Sequence, residues 1–370
     1  MLQKQKSYGR IKKNKILLKM VWGKLMDFNL DFNSVGKSAS GSEKMSIGLF
    51  HFSSFFCKNI GESDSDRLLE LEAVMREGYI NTLLISSKET DFEGVIKLCQ
   101  KYDCTIWFSA QKFFSTKQTI EEYIERIEPY VNKIKKLGAD KLFKGFYWDE
   151  PFLNKITNDD FYIMTKTLFE KWGKRNFPVI SFTPLIENNN FTGEHIKSEA
   201  LKYVTDIAWD NYSYDLSVEA EDNAPQTKHL KTLHNIGFKT ATEYYNWIHK
   251  LLMERLDHKV NVWHYPGVYS TWLYTERRCD EKGIIENLKY SNNLIAQSEH
   301  PCGLIMYNYV NFNKNPNEKG ICSFLNLPDQ NGEQLLYKDE KKWNEASALI
   351  KQLKKVYDNT YIKPVIDIKD

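Results

Sequence analysis

Eight short apolar runs, separated by segments of helical periodicity, set the narrowest limit on what this chain can fold into. The runs are Ser46–Phe52, Asn81–Ser86, Thr105–Ser109, Phe143–Asp149, Val179–Thr183, Asp206–Asn211, Val260–Tyr265 and Gly303–Tyr309. Helical patterns between them include Asp66–Arg76, Phe92–Lys101, Ile120–Leu137, Asp160–Trp172 and Ile284–Ala296. Two starts are marked: Thr119-x-x-Glu122 is a capping box, and Thr157-x-x-Asp160 is a weaker relative. Strands joined by crossovers of about a dozen residues or more pair in parallel, because a hairpin needs a short turn. Parallel strands are covered on both faces, which is why SIGLFHF, TIWFS and CGLIMYNY are almost unbroken apolar runs. Eight such units within about 320 residues predict an α/β chain closed into a (β/α)8 barrel. The alternative is an open doubly wound sheet. No Gly-x-Gly-x-x-Gly follows any run, which removes its strongest dinucleotide argument. The glycine-rich stretch Gly36–Gly41 lacks a P-loop lysine and precedes the first strand.

Domain organisation follows from the same pattern. Residues 45–370 read as one barrel domain. Residues 1–44 read as a basic N-terminal extension outside it, disordered or a basic amphipathic helix around Ile11–Met26. From Met1 to Met26 the chain carries Lys4, Lys6, Arg10, Lys12, Lys13, Lys15, Lys19 and Lys24 with no acid. That stretch has neither the continuous apolar core nor the small-residue cleavage site of a secretory signal. This segment leaves location open between cytoplasmic, by the absence of such a signal, and extracellular, if the native N-terminus differs. Two insertions are expected at the carboxyl end of the barrel. One follows strand six and includes a helix at Thr240–Leu256, and the other, Asn311–Lys338, follows strand eight. A final helix, Glu340–Val356, would pack beside the first.

Charge and cysteine content exclude several classes. A net charge of +2 gives no global field for nucleic acid or a membrane surface. No run of about 18 apolar residues exists to span a bilayer. The six cysteines show no metal-type spacing, and Cys99, Cys104 and Cys302 read as small buried residues suited to a reducing compartment. Aromatic content points another way. With 21 Phe, 21 Tyr and 9 Trp, the chain has rings for a core and rings to spare for a cleft that stacks sugars.

Polar residues gather where the strands end. Strand four closes Tyr147-Trp-Asp149-Glu150-Pro151, strand six Trp209-Asp210-Asn211-Tyr212, strand seven Trp263-His264-Tyr265, and strand eight Tyr307-Asn308. The first strand adds His51, and the third adds Trp107 and, just beyond it, Gln111. A barrel selected for stability alone has no need of such a rim. The sharpest element is Asp149-Glu150. Two neighbouring carboxyls in a cleft push their pKa values apart and leave one bearing a proton near neutrality, as general acid chemistry at a glycosidic oxygen requires. Pro151 stops strand pairing and restricts Glu150 to an extended conformation. Strict alternation would send the two acids to opposite faces, so both reach the mouth only if the strand twists or bulges there.

A strand four ending aromatic-x-Asp-Glu-Pro resembles the barrel glycoside hydrolases. The adjacent pair is similar to the catalytic Asp-Glu of family 20 and family 123 N-acetylhexosaminidases. The resemblance implies that the substrate's own 2-acetamido oxygen is the nucleophile. It implies that Glu150 protonates the leaving oxygen and later activates water, while Asp149 orients the acetamido group. It further implies a tyrosine holding that group, with Tyr265, Tyr212 and Tyr307 as candidates, and sugar walls among Trp107, Trp209 and Trp263. Tyr147, His51, His264, Gln111, Asn211 and Asn308 complete the expected carbohydrate-binding set. The pattern departs from family 20 in its lead, which is Gly-Phe-Tyr-Trp rather than His-x-Gly-Gly, and the family 18 Asp-x-Asp-x-Glu is absent. No Glu ends strand seven, so Asp210 is the reserve carboxylate. No cofactor is expected, and the expected partner is a carbohydrate. Two rival readings are a carbohydrate-binding barrel without turnover and a metal-assisted hydrolase or lyase using Asp149, Asp210 and His264.

Overall fold

A computed structural model describes residues 42–50, 64–89, 91–180, 196–211, 241–267, 281–307, 325, 344–366 and 368. The chain divides into two units, Met1–Lys37 and Ser38–Asp370, and all described residues belong to the second. The basic stretch and both expected insertions, apart from Leu325 and the helix before strand seven, lie outside the described residues.

Eight parallel strands close on themselves in chain order, so the barrel is a (β/α)8 TIM barrel. They are β1 (Ser46–Leu49), β2 (Thr82–Ile85), β3 (Thr105–Ser109), β4 (Phe143–Asp149), β5 (Arg175–Ile180), β6 (Asp206–Asn211), β7 (Asn261–Pro266) and β8 (Pro301–Met306). Closure is made by β1 against β8, with Ile47 opposite Leu304 and Leu49 opposite Met306. The covering helices are α1 (Asp64–Arg76), α2 (Phe92–Lys101), α3 (Ile120–Lys136), α4 (Asn158–Trp172), α5 (Ala241–Arg255), α6 (Glu281–Gln297) and α7 (Asn344–Asp358). Helix starts form where the sequence marks them. Thr119 Oγ1 accepts from the Glu122 N–H at 3.2 Å, and the Thr119 N–H donates to the Glu122 carboxylate at 2.8 Å. Thr157 Oγ1 caps α4 by accepting from the Asp160 N–H at 3.1 Å, without the reciprocal backbone bond, and Gly173 ends that helix in the left-handed region at φ 61°.

Three expectations are adjusted. β5 begins at Arg175 rather than Val179, because Arg175 and Asn176 are polar yet buried and fully engaged in the sheet. The helix before strand seven is the crossover from β6 to β7 and not an addition to it. Helix α7 packs on α6 and β1, and it reaches the turn after α1 through Lys351 and Glu77 at 3.1 Å. The expected burial of Cys99, Cys104 and Cys302 is observed, and all three are free thiols. Among the described residues no helix is long and apolar enough to cross a membrane.

The barrel interior is packed in layers, as side chains on alternate positions require. The lower layer holds Trp107, Phe177 and Trp263, with ring centroids 5.1 Å apart for Trp107–Phe177 and 4.8 Å for Phe177–Trp263. Within it Arg175 forms a bidentate pair with Asp206, and its guanidinium lies 5.1 Å from the Trp107 ring. Asp206 also accepts from Trp263 Nε1 at 2.7 Å and from Thr205 Oγ1 at 2.8 Å. Below, Glu43 takes Lys144 at 3.1 Å and Arg175 at 3.0 Å, closing the amino end. Glu43 also pairs with Ile362 and Lys44 with Tyr361, in a short antiparallel ribbon just before the first barrel strand. The opposite end, where the strands finish, carries the polar residues singled out from the sequence.

Candidate active site

The mouth layer sits directly above this floor. Phe50, just past β1, meets Tyr147 of β4 at 5.9 Å, Tyr265 of β7 at 5.6 Å and Tyr307 after β8 at 5.3 Å. Residues from these four strands converge only across the barrel axis, so Tyr147 and Tyr265 point inward. Phe146 and Trp148 point outward: Phe146 lies against Trp172, and Trp148 between Tyr123 and Phe161 on the helices. Asp149 follows Tyr147 by two residues and shares its inward face.

Asp149 is half-buried as a residue, while its carboxyl lies deep enough that desolvation dominates its ionisation. Burial first, and the adjacent Glu150 second, push its pKa up to about 7, with Lys112 opposing. The effect of Glu150 on Asp149 places the two carboxyls within electrostatic reach. Alternation alone would have turned Glu150 toward the helices. Instead Glu150 adopts φ 48°, a left-handed conformation that costs about 1–3 kcal/mol in a non-glycine residue. The turn is held: the Glu150 N–H donates to Val179 O at 3.0 Å, and Asn154 Nδ2 donates to the carbonyls of Asp149 and Glu150 at 2.8 and 3.0 Å. Among the described residues neither carboxylate takes a hydrogen bond or ion pair. The hydrogen bonds that hold the strained turn are thus all made by its backbone and by Asn154, and none by the Glu150 side chain.

The other expected site residues divide by face. Tyr147, Tyr265 and Tyr307 come together at the mouth with Phe50. Gln111 lies on the short turn Gln111–Phe113 after β3. Trp107 and Trp263 are not walls of the mouth, because each sits two positions earlier on its strand, in the closed floor. Trp209 and His264 face the helix layer, their rings 4.7 Å apart and Trp209 5.0 Å from His249 of α5. Burial, then His249, pushes His264 down to about 3, so it is a neutral imidazole in the packing. With His264 outside the barrel, the trio Asp149, Asp210 and His264 is not assembled as a metal site. Asp210 and Asn211 end β6 opposite Tyr265 and Pro266. Their side chains, and residues His51, Tyr212 and Asn308, lie outside the described residues.

Three groups at this end escape the sequence reading. Lys112 is exposed beside Asp149. Glu89, three residues past Ser86, is buried, and its Oε1 accepts from the Ser86 N–H at 3.4 Å. Ser109 ends β3 in register with Tyr147, and it is fully buried. The signal for all three was position alone, just beyond the apolar runs of strands two and three.

No protein-family model matches the chain, and no curated protein matches it. Solved structures resemble it in fold. A family 5 glycoside hydrolase mannosidase from Rhizomucor miehei is 12% identical, with 86% of this chain and 96% of that one covered and a TM-score of 0.46. A family 39 glycoside hydrolase from Bacteroides cellulosilyticus WH2 is 9% identical over 83% and 64%, with a TM-score of 0.48. A Ruminococcus gnavus β-glucuronidase is 10% identical over 85% of this chain and 50% of its own, with a TM-score of 0.47. Likeness at this level bears on neither family nor substrate.

Proposed function

We propose that the chain is a glycoside hydrolase in which Glu150 is the general acid and base and Asp149 assists. One observation carries the reading: two successive carboxyls at the open end of β4, one lifted toward neutrality and the other turned out of alternation by a left-handed residue. Acid–base chemistry at a glycosidic oxygen asks for a carboxyl that holds a proton near pH 7; Asp149 is lifted into that range, and the role of Glu150 beside it follows the adjacent-pair pattern of the sequence. The narrower reading is an N-acetylhexosaminidase assisted by its substrate. There the 2-acetamido oxygen attacks the anomeric carbon while Glu150 protonates the departing oxygen. Asp149, once ionised, accepts the acetamido N–H and stabilises the cationic ring that forms. Water activated by Glu150 then opens that ring and returns the proton. Tyr147, Tyr265 and Tyr307 supply apolar faces with polar tips, which suit a sugar ring.

Hydrolysis of aryl glycosides tests this. The expected result is release of the aryl alcohol that persists in a chelator and is fastest for N-acetylhexosaminides. Because the Asp149 pKa lies about 7 in the free protein, kcat/KM for those substrates rises with pH through that value as Asp149 ionises. Equal cleavage of plain glucosides or galactosides overturns substrate assistance and makes Asp210 the partner carboxylate. Failure to cleave any aryl glycoside, or complete loss with chelator, overturns the glycosidase reading.

A further inference from the structure

We infer that Ser109 and Gln111, flanked by Glu89, form a subsite on the strand-two and strand-three side of the mouth that binds an uncharged sugar hydroxyl. The inference rests on the carbohydrate reading of this mouth and adds to it which groups of the sugar are held and which sugars are refused. Gln111 Oε1 is buried without a hydrogen-bond partner among the described residues, and the buried Ser109 hydroxyl has the Tyr147 hydroxyl as a neighbour but no full hydrogen bond. Buried polar atoms without partners are rare in folded proteins, since each forfeits its bond to water. Both lie at the end of β3: Ser109 pairs in register with Tyr147, and the Ala110 N–H donates to Tyr147 O at 3.2 Å. Asp149 is two residues further along that neighbouring strand, so Ser109 lies one inward-facing position below it.

The chemistry of these atoms selects the ligand. The Gln111 amide oxygen accepts only, and the Ser109 hydroxyl both donates and accepts. A sugar hydroxyl satisfies both, donating to Gln111 and accepting from Ser109. A carboxylate or phosphate accepts only, so it leaves Gln111 Oε1 unpaired. It would also face the Asp149–Glu150 pair. Burial holds the Glu89 carboxyl well above the usual range, with the Ser86 N–H and Arg67 opposing, and Glu89 and Asp149 both act on the Tyr147 hydroxyl between them. Lys112 is the one cation found beside Asp149 among the described residues, and it is exposed, where water screens it.

The test is calorimetric binding to the Glu150→Gln protein, which separates binding from turnover. The probes are methyl glycosides of glucose, galactose, mannose and N-acetylglucosamine, set against those of glucuronic and galacturonic acid. At least one uncharged glycoside is expected to bind, with both uronates at least tenfold weaker. Ser109→Ala and Gln111→Leu are each expected to weaken the uncharged ligand by roughly two- to tenfold, the value of one net hydrogen bond. Uronates binding as tightly as uncharged glycosides overturn the inference, as does unchanged affinity in folded Ser109→Ala and Gln111→Leu proteins. Absence of binding by every probe overturns it too. Binding in this pattern by a protein that cleaves no glycoside would remove the hydrolase reading and leave the subsite standing.

Discussion

Glu150→Gln is expected to lower kcat/KM for an aryl glycoside with a poor leaving group by about 10²–10⁴-fold, the usual worth of a positioned general acid. The substitution keeps size, shape and the left-handed turn, whose hydrogen bonds are made by backbone atoms and Asn154. What is lost is the exchangeable proton. A 2,4-dinitrophenyl leaving group departs without protonation, so the same variant should approach wild-type kcat/KM on that substrate. Comparable loss on both substrates would mean that Glu150 acts by binding or folding rather than by proton transfer. No loss on either would remove it from the chemistry.

A second large effect is expected far from the reaction. Asp206→Asn should destabilise the protein by about 3–5 kcal/mol in urea unfolding, the range for removing one partner of a buried ion pair. Asp206 is fully buried and accepts from Arg175, Thr205 and Trp263 at once. Removing its charge leaves the Arg175 guanidinium inside the barrel with Glu43 as its remaining carboxylate partner. Against a typical total of about 5–15 kcal/mol, this is a large fraction of the fold's margin. Glu299→Gln, which breaks the exposed pair with Lys259, should leave the unfolding midpoint unchanged. A small effect at Asp206 would mean that water reaches the barrel floor.

These residues also show what a sequence can reveal. The eight strands are legible because burial on both faces leaves almost continuous apolar runs, and Pro151 marks where β4 must stop. Inward and outward positions are not legible in such runs, since both faces are apolar. Trp107, Trp209 and Trp263 therefore look alike on paper, yet two fill the floor and one packs against α5. Register also slips by one residue at Lys144 of β4, opposite Ile106 and Trp107, and at Cys302 of β8, opposite Val262 and Trp263, which no apolar pattern announces. The start of β5 was hidden by Arg175, whose charge reads as surface until Asp206 is placed beside it. Glu89 was hidden because its burial comes from the fold around a short polar turn, and no periodicity announces that.

The claim beneath the proposed chemistry is that Asp149 and Glu150 share one enclosed space. Carbon-13 NMR of labelled aspartate, titrated from pH 4 to 9, measures this directly. Asp149 is expected to titrate about pH 7 and to shift downward in Glu150→Gln, where the neighbouring negative charge is gone. A midpoint near the ordinary aspartate value of about 3.9, unmoved by that substitution, would contradict the account.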